Sequence, residues 1–175
     1  MFERIAKSLQ RLQRKEMPAE GLVEAAVLVP LFEKEGELQF LMGRRTDLVE
    51  THKRQISFPG GARDAQDRDS VETAMREANE EIGLDPGDVE ILGILNDIKT
   101  ITGFRVTPVV GSIPYPYTFS LNDAEVEELI EVPWLVFSER RGHRTEYMEY
   151  AGERREVDFY HYEKHVIWGA TARIT

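Results

Sequence analysis

Three glutamates, Glu77, Glu80 and Glu81, stand at i, i+3 and i+4 in the stretch Arg76-Glu77-Ala78-Asn79-Glu80-Glu81-Ile82-Gly83-Leu84. On a helix with about 3.6 residues per turn, that spacing sends all three carboxylates out of one narrow face. Anions so placed repel one another unless counter-charge sits among them, and Arg76, one turn from Glu80, supplies a single cation. Hard oxygen ligands in this number suit Mg²⁺ or Mn²⁺, ions that keep water and bridge phosphate oxygens. Such an ion makes phosphorus more electrophilic and lowers the pKa of a bound water, so that hydroxide is available near neutral pH. The turn Phe58-Pro59-Gly60-Gly61 ends fifteen residues before Arg76. Its glycines let the backbone approach the carboxylates, and Gly83 is placed to end the helix. The chemistry this set points to is a divalent metal held against a diphosphate.

A glutamate-rich helical face is more often plain solvated surface, and in a chain that is 31% charged a Glu-Glu pair alone decides nothing. Arg76, Glu77, Gly83 and the Phe-Pro-Gly-Gly turn together favour a site. The elements that must position it are legible as patterns. Asp67, Asp69 and Ser70 are N-cap candidates for a helix to Ile82, with Ala74, Ala78 and Ile82 facing inward, and Asp85-Pro86-Gly87 stops it. Residues 22–32 and 37–43 read as strands joined through Glu33-Lys34-Glu35-Gly36, and a short strand from Gln55 to Phe58 runs into the Pro-Gly-Gly turn. Val89 to Leu95 and Phe104 to Ile113 are further strands. The acidic segment 122–131 reads as an exposed turn, and Pro133 to Ser138 as a short helix. His143 to Tyr150 and Arg155 to Tyr162 form a second hairpin around Gly152, His165 to Trp168 is a last strand, and 169–175 starts a helix. Phe2, Ile5, Ala6, Leu9 and Leu12 recur at helical spacing, so residues 2–15 read as an amphipathic helix. The expected organisation is this helix, within 1–20, docked on one domain over 21–175.

Bulk composition narrows the classes. A chain of 175 residues is long enough for one sizeable core. A formal net charge of −10 disfavours non-specific binding to nucleic acid or anionic membrane. The absence of cysteine excludes disulfides, thiolate metal sites and cysteine nucleophiles. No apolar run approaches the roughly 20 residues needed to span a bilayer, and the N-terminus carries no signal-peptide core. The expectation is a cytoplasmic protein acting on a small molecule, with no nucleic-acid or membrane partner and a homodimer left open.

The stretch from Gly60 to Leu84 resembles the Nudix box, whose pattern is G-x5-E-x7-R-E-U-x-E-E-x-G-U with U a bulky aliphatic. Arg76, Glu77, Glu80, Glu81, Gly83 and Leu84 match it. Counting back from Arg76 puts Ala62 at the pattern's Gly and Arg68 at its upstream Glu, with Asp67, Asp69 and Glu72 as nearby substitutes. Upstream of the box, Leu41 to Gly61 is similar to the motif of coenzyme A pyrophosphatases, L-L-T-x-R-[SA]-x3-R-x3-G-x3-F-P-G-G. Arg45, Thr46 and Phe58 to Gly61 fit, whereas Glu50 replaces an Arg and Arg54 a Gly.

This resemblance covers roughly residues 20–175. It implies an α/β Nudix fold, a mixed β-sheet sandwiched between helices (α/β/α). The implied reaction is Mg²⁺- or Mn²⁺-dependent hydrolysis of coenzyme A or an acyl derivative to 3′,5′-ADP and (acyl) 4′-phosphopantetheine. Glu77 and Glu81 are the implied principal metal ligands, with the Gly61 carbonyl a further one. Glu80 is a third ligand or the base, and Arg76 orients the carboxylates. Glu125, Glu127 and Glu128 are alternative bases. Arg44, Arg45, Lys53, Arg54, Phe58 and Gly60 are the expected substrate-binding set, a local cation excess able to focus an anion on an acidic protein. His52 is expected as a loop or core-edge histidine. An ADP-ribose or dinucleotide pyrophosphatase is the alternative within enzymes, disfavoured because Lys99 to Gly103 lacks a Pro or Tyr marker. A nucleotide-binding regulator without turnover is the alternative outside them.

Overall fold

The computed structural model describes residues 1–47, 54–150 and 152–175. Helix α1 (Phe2–Arg11) is shorter than the expected 2–15 and stops at Leu12, which is extended. The reason lies outside the helix. Asp97 accepts hydrogen bonds from Met17 N at 2.9 Å and Arg14 Nη2 at 3.0 Å, and Asn96 Oδ1 accepts from Lys15 N at 2.8 Å. These acceptors hold residues 14–17 as a strap, and tertiary partners override the helical period. Phe2, Ile5, Ala6 and Leu9 pack on the core.

Strands β1 (Val23–Lys34) and β2 (Glu37–Arg45) form the expected hairpin, each longer than its apolar run. They pair only from Leu31–Lys34 against Glu37–Phe40 and then diverge. The gap is filled by β3 (Ile56–Ser57), which pairs with β2, and by β4 (Gly60–Ala62), which pairs with β1. Gly60 and Gly61, read from sequence as a turn, are therefore strand residues wedged into a split sheet. Helix α2 (Ser70–Ile82) follows. Next come β5 (Glu90–Ile94), β6 (Ile98–Lys99), β7 (Phe104–Ser112) and β8 (Val126–Pro133). Strand β7 runs parallel to β1 over Val23–Leu31, and every other pairing is antiparallel, so the sheet is mixed.

The acidic segment is not an exposed turn beyond residue 125. Val126, Ile130 and Val132 are buried, and β8 pairs along β2. Burial of those apolar side chains outweighs the local charge that suggested a turn.

Helix α2 covers one face of the sheet, over Ala26, Leu28, Leu41, Val109 and its own Ala74, Ala78 and Ile82. The other face carries α1, α3 (Trp134–Ser138) and α4 (Gly169–Ile174). A three-stranded antiparallel sheet of β9 (His143–Tyr150), β10 (Glu153–Tyr162) and β11 (His165–Trp168) also packs there, around Met42, Phe58, Ile130, Phe137 and Ile167. Alternation along β2 thus sends Leu41 toward α2 and Met42 away from it. No helix among the described residues is long and apolar enough to cross a membrane.

Candidate active site

The local sequence fixes α2 at both ends. Asp69 caps it, its Oδ1 accepting from Val71 N and Glu72 N, both at 2.9 Å. Gly83 closes it in the left-handed region at φ 67°, donating to Asn79 O. Inside these limits Ala78 and Ile82 face the core, Glu77 and Glu81 turn toward β3 and β4, and Glu80 stays exposed.

The split in the sheet brings backbone against both inner carboxylates. A Cβ on Gly61 would lie 2.6 Å from the Glu77 carboxyl atoms. A Cβ on Gly60 would lie 2.4 Å from Ala26 O, so this residue must be glycine to pass β1. Gly60 N donates to Glu81 Oε2 at 3.3 Å, and Arg45 Nη1 makes a long contact to Glu81 Oε1 at 3.5 Å. Glu81 is only 4% exposed. Burial pushes its carboxyl up to about 7, with Glu125 and Glu77 adding to the rise against Arg45 and the Gly60 amide. Burial also raises Glu77, opposed by Arg76.

Arg76 ties the set together. Its Nη1 donates to Glu77 Oε1 at 2.8 Å and Glu80 Oε2 at 3.1 Å, and its Nη2 donates to Ala62 O at 3.0 Å. Nε and Nη2 grip both oxygens of Asp67. Arg68, where the spacing expected an acid, is turned outward onto Glu72. The buried Asp67, one residue earlier, is instead the acid that Arg76 holds, and it falls six residues after Gly61, the pattern's own Gly-to-Glu spacing. Shifting the count by one would have singled it out.

The half-buried carboxylate of Glu77 and the buried one of Glu81 fit a divalent ion. Hard oxygen donors stand one turn apart, Gly61 lacks the Cβ that would fill the space at Glu77, and buried Glu81 has only long contacts to offset its charge. Among the described residues no three carboxylate or imidazole groups converge into a ready-made cage. Two protein carboxylates, with the remaining positions left to phosphate and water, is the usual way Mg²⁺ is held.

The substrate-binding set is divided by the fold. Arg45 reaches Glu81, while Arg44, on the opposite face of β2, is paired with Glu127 at 3.0 Å and Glu128 at 2.8 Å. Arg54 pairs with Asp47 at 2.7 Å. Among the described residues, the expected cations are therefore neither on one surface nor unpaired. Phe58, 3% exposed, packs on Phe40 in the core and so positions the turn instead of offering a surface to a ligand. Glu50, His52 and Lys53 lie outside the described residues. Of the alternative bases, Glu127 and Glu128 are drawn to Arg44, and Glu125 is the one whose charge is felt at Glu77 and Glu81. Its loop is stapled to the helix by Ser120 N to Ile82 O and Asn122 N to Glu81 O.

Comparison with known proteins gives the family. Residues 22–146 match the family model described as NUDIX domain. The chain is 40% identical over 152 residues to Nudix hydrolase NudL of Pectobacterium atrosepticum, covering 86% of this chain and 78% of that protein. It is 39% identical over 158 residues to the chloroplastic Nudix hydrolase 22 of Arabidopsis thaliana, covering 86% of this chain. It spans about half, 52%, of that plant relative's length. Among solved structures, a C. elegans Ap4A hydrolase binary complex superposes with a TM-score of 0.55 at 19% identity, over 68% of this chain and 83% of that one. RenU, a Nudix hydrolase from M. smegmatis, gives 0.56 at 22% identity, over 67% and 74%. These likenesses show the same fold, and with the family match and the two close relatives they establish that the chain belongs to the Nudix hydrolase family.

Proposed function

We propose that this protein hydrolyses the diphosphate linkage of coenzyme A or an acyl-coenzyme A, giving 3′,5′-ADP and (acyl) 4′-phosphopantetheine. The observation that carries the hydrolytic reading is half-buried Glu77 and buried Glu81 set against the Gly60–Gly61 backbone, with Arg76 clamping Glu77. Choice of coenzyme A rests on the sequence from Leu41 to Gly61, with Arg45 beside Glu81. ADP-ribose and dinucleotides carry the same diphosphate and are the alternatives, and a nucleotide-binding regulator without turnover is the other.

Nudix hydrolases generally need a divalent ion. Glu77 and Glu81, with Glu80 and the Gly61 carbonyl, would hold Mg²⁺ or Mn²⁺ here. When bound, such an ion polarises a phosphoryl oxygen and lowers the pKa of water. The chain's own residues do the rest. Arg76 holds Glu77 and Glu80 in fixed rotamers, so they present oxygens without reorganising. Arg45 places a cation at the Glu81 end, where a diphosphate oxygen needs one. Glu80 is an exposed carboxylate on the same helix able to take a proton from water, and Glu125, whose charge is felt at Glu77 and Glu81, is the alternative base.

The test is direct. The protein is incubated with coenzyme A, ADP-ribose and NADH, each with Mg²⁺ and with Mn²⁺, and the products are resolved by chromatography. Release of 3′,5′-ADP from coenzyme A alone supports the proposal. Turnover of the others instead would reassign the substrate, and silence on all three would leave a regulator.

A further inference from the structure

The loop of residues 63–69, between β4 and α2, carries Asp67, on which the grip of Arg76 depends. Every residue in it except Asp67 is exposed, so no apolar packing holds its course and polar contacts must do so. Several of these are internal. Asp64 N donates to Asp67 Oδ2 at 2.9 Å, Asp67 N to Asp64 O at 3.1 Å, and Gln66 N to Asp64 Oδ1 at 2.9 Å. Such bonds give the loop a shape but do not fix where that shape sits on the sheet.

The Arg63 side chain supplies the outside reference. Its Nε and Nη2 donate to Asp67 O at 3.3 and 3.0 Å, and Nη2 also donates to Arg68 O at 2.8 Å. On the other prong, Nη1 donates to Glu24 Oε2 at 3.2 Å, and Arg63 N donates to Glu24 O at 2.9 Å. Glu24 stands in β1, and its other carboxylate oxygen is held by Arg105 of β7. One planar group thus joins two loop carbonyls to a carboxylate anchored in the sheet. Among the described residues, the other loop side chains that hydrogen-bond reach only the loop itself or α2.

A cation at this place could instead meet a substrate phosphate. That use needs donors turned to solvent, whereas Nε and both Nη atoms of Arg63 already point at protein oxygens. A lysine would keep the charge but could not span the carbonyls and the carboxylate, because an ammonium has no fork. The two roles therefore separate by substitution.

We propose, on the reading of Glu77, Glu80 and Glu81 as the metal site, that Arg63 is a positioning residue for the hydrolysis. It seats the Asp67 loop against β1, and through Asp67 and Arg76 it holds the oxygens of Glu77 and Glu80 in place.

The test is Mn²⁺ binding to the full chain without substrate, followed by the electron paramagnetic resonance of free Mn²⁺. Arg63→Gln and Arg63→Lys should each weaken Mn²⁺ about fivefold or more, since groups behind metal ligands tune affinity. Ile167→Val, which removes a buried methylene on the other face of the sheet, should lower the melting temperature and leave Mn²⁺ affinity unchanged. In the Asp67→Asn background, Arg63→Gln should weaken Mn²⁺ by less than about twofold more, because its route to the carboxylates is already broken. With the diphosphate substrate, kcat should fall about tenfold in both Arg63 variants at a KM within about twofold of wild type. Wild-type Mn²⁺ affinity in Arg63→Gln, full retention in Arg63→Lys, additive losses in the double variant, or a loss confined to KM would each overturn the proposal. Absence of Mn²⁺ binding in the wild type would do the same. Mn²⁺ binding that depends on Arg63 in a protein that turns nothing over would remove the hydrolytic reading and leave Arg63 as the residue that positions the metal site.

Discussion

Arg76 and Asp67, nine residues apart, hold each other in a two-pronged ion pair: Nε meets Oδ1 at 3.1 Å and Nη2 meets Oδ2 at 3.0 Å. The pair spans the loop between β4 and α2, and the same guanidinium grips Glu77 and Glu80. Loop geometry and carboxylate geometry are therefore one mechanical unit. Asp67→Asn should cost on the order of 2 kcal/mol of stability, because a charge-assisted pair whose carboxylate is buried becomes a weaker neutral one beside a half-buried cation. It should also lower kcat by roughly tenfold as Glu77 loosens. Urea unfolding and steady-state kinetics read both, and an unshifted midpoint would show that the pair carries no stability.

The same pair sets an acid limit. The Arg76 guanidinium beside Asp67 holds its carboxyl down to about 2 from an ordinary 3.8. The native state thus binds fewer protons than the unfolded one, and stability is present above the unfolded value. It is lost as pH falls from about 4 to about 2, by roughly 2 kcal/mol. Midpoints measured over this range should flatten in Asp67→Asn, and an identical slope in both proteins would refute the assignment.

Glu81 works in the opposite direction. Its carboxyl is raised to about 7, so in metal-free protein its neutral form is favoured by folding. That contribution is fully present below the unfolded value and disappears as pH rises through about 7. In EDTA the wild type should lose stability between about pH 4.5 and 7. Glu81→Gln should remove that loss. Thermal melts at both pH values decide it.

Activity should depend on Glu81 as a charge, not as a shape. Glu81→Gln keeps the volume and should reduce kcat by about 10²-fold or more with the fold intact. Wild-type turnover in this variant would remove Glu81 from the metal-binding assignment.

Gly61 offers a test by size alone. A methyl at that position would stand 2.6 Å from the Glu77 carboxylate and must displace it. Gly61→Ala should cut kcat by roughly 10- to 100-fold, since a displacement of about an ångström is enough to misplace a reacting group. Circular dichroism should remain native, and unchanged kcat would mean that Glu77 is not held where the chemistry needs it.

Much of this arrangement is legible in the sequence because it is local. The 3.6-residue period placed Glu77 and Glu81 together, Asp69 and Gly83 bounded α2, and apolar runs split by Glu33-Lys34-Glu35-Gly36 found the hairpin strands. These features depend on near neighbours, so spacing alone determines them. The acidic stretch misled for the complementary reason. Glu127 and Glu128 belong to β8, and what makes a strand there is burial of Val126, Ile130 and Val132 beside β2, a non-local gain.

What only the tertiary structure decided is which groups share a face and which find partners. Arg44 and Arg45 are adjacent in the chain, yet the pleat sends one to Glu127 and Glu128 and the other to Glu81. Phe58 belongs to a matched motif, yet it is core, because the divergence of β1 and β2 pulls its segment into the sheet. Asp67, not Arg68 at the counted position, delivers a carboxylate to Arg76, because the loop before α2 folds back over the helix. The sequence by itself determined the kind of chemistry, since that lies in one helix turn and its caps. The fold decided the rest, since charge pairing and burial are set by distances through space that spacing along the chain does not encode.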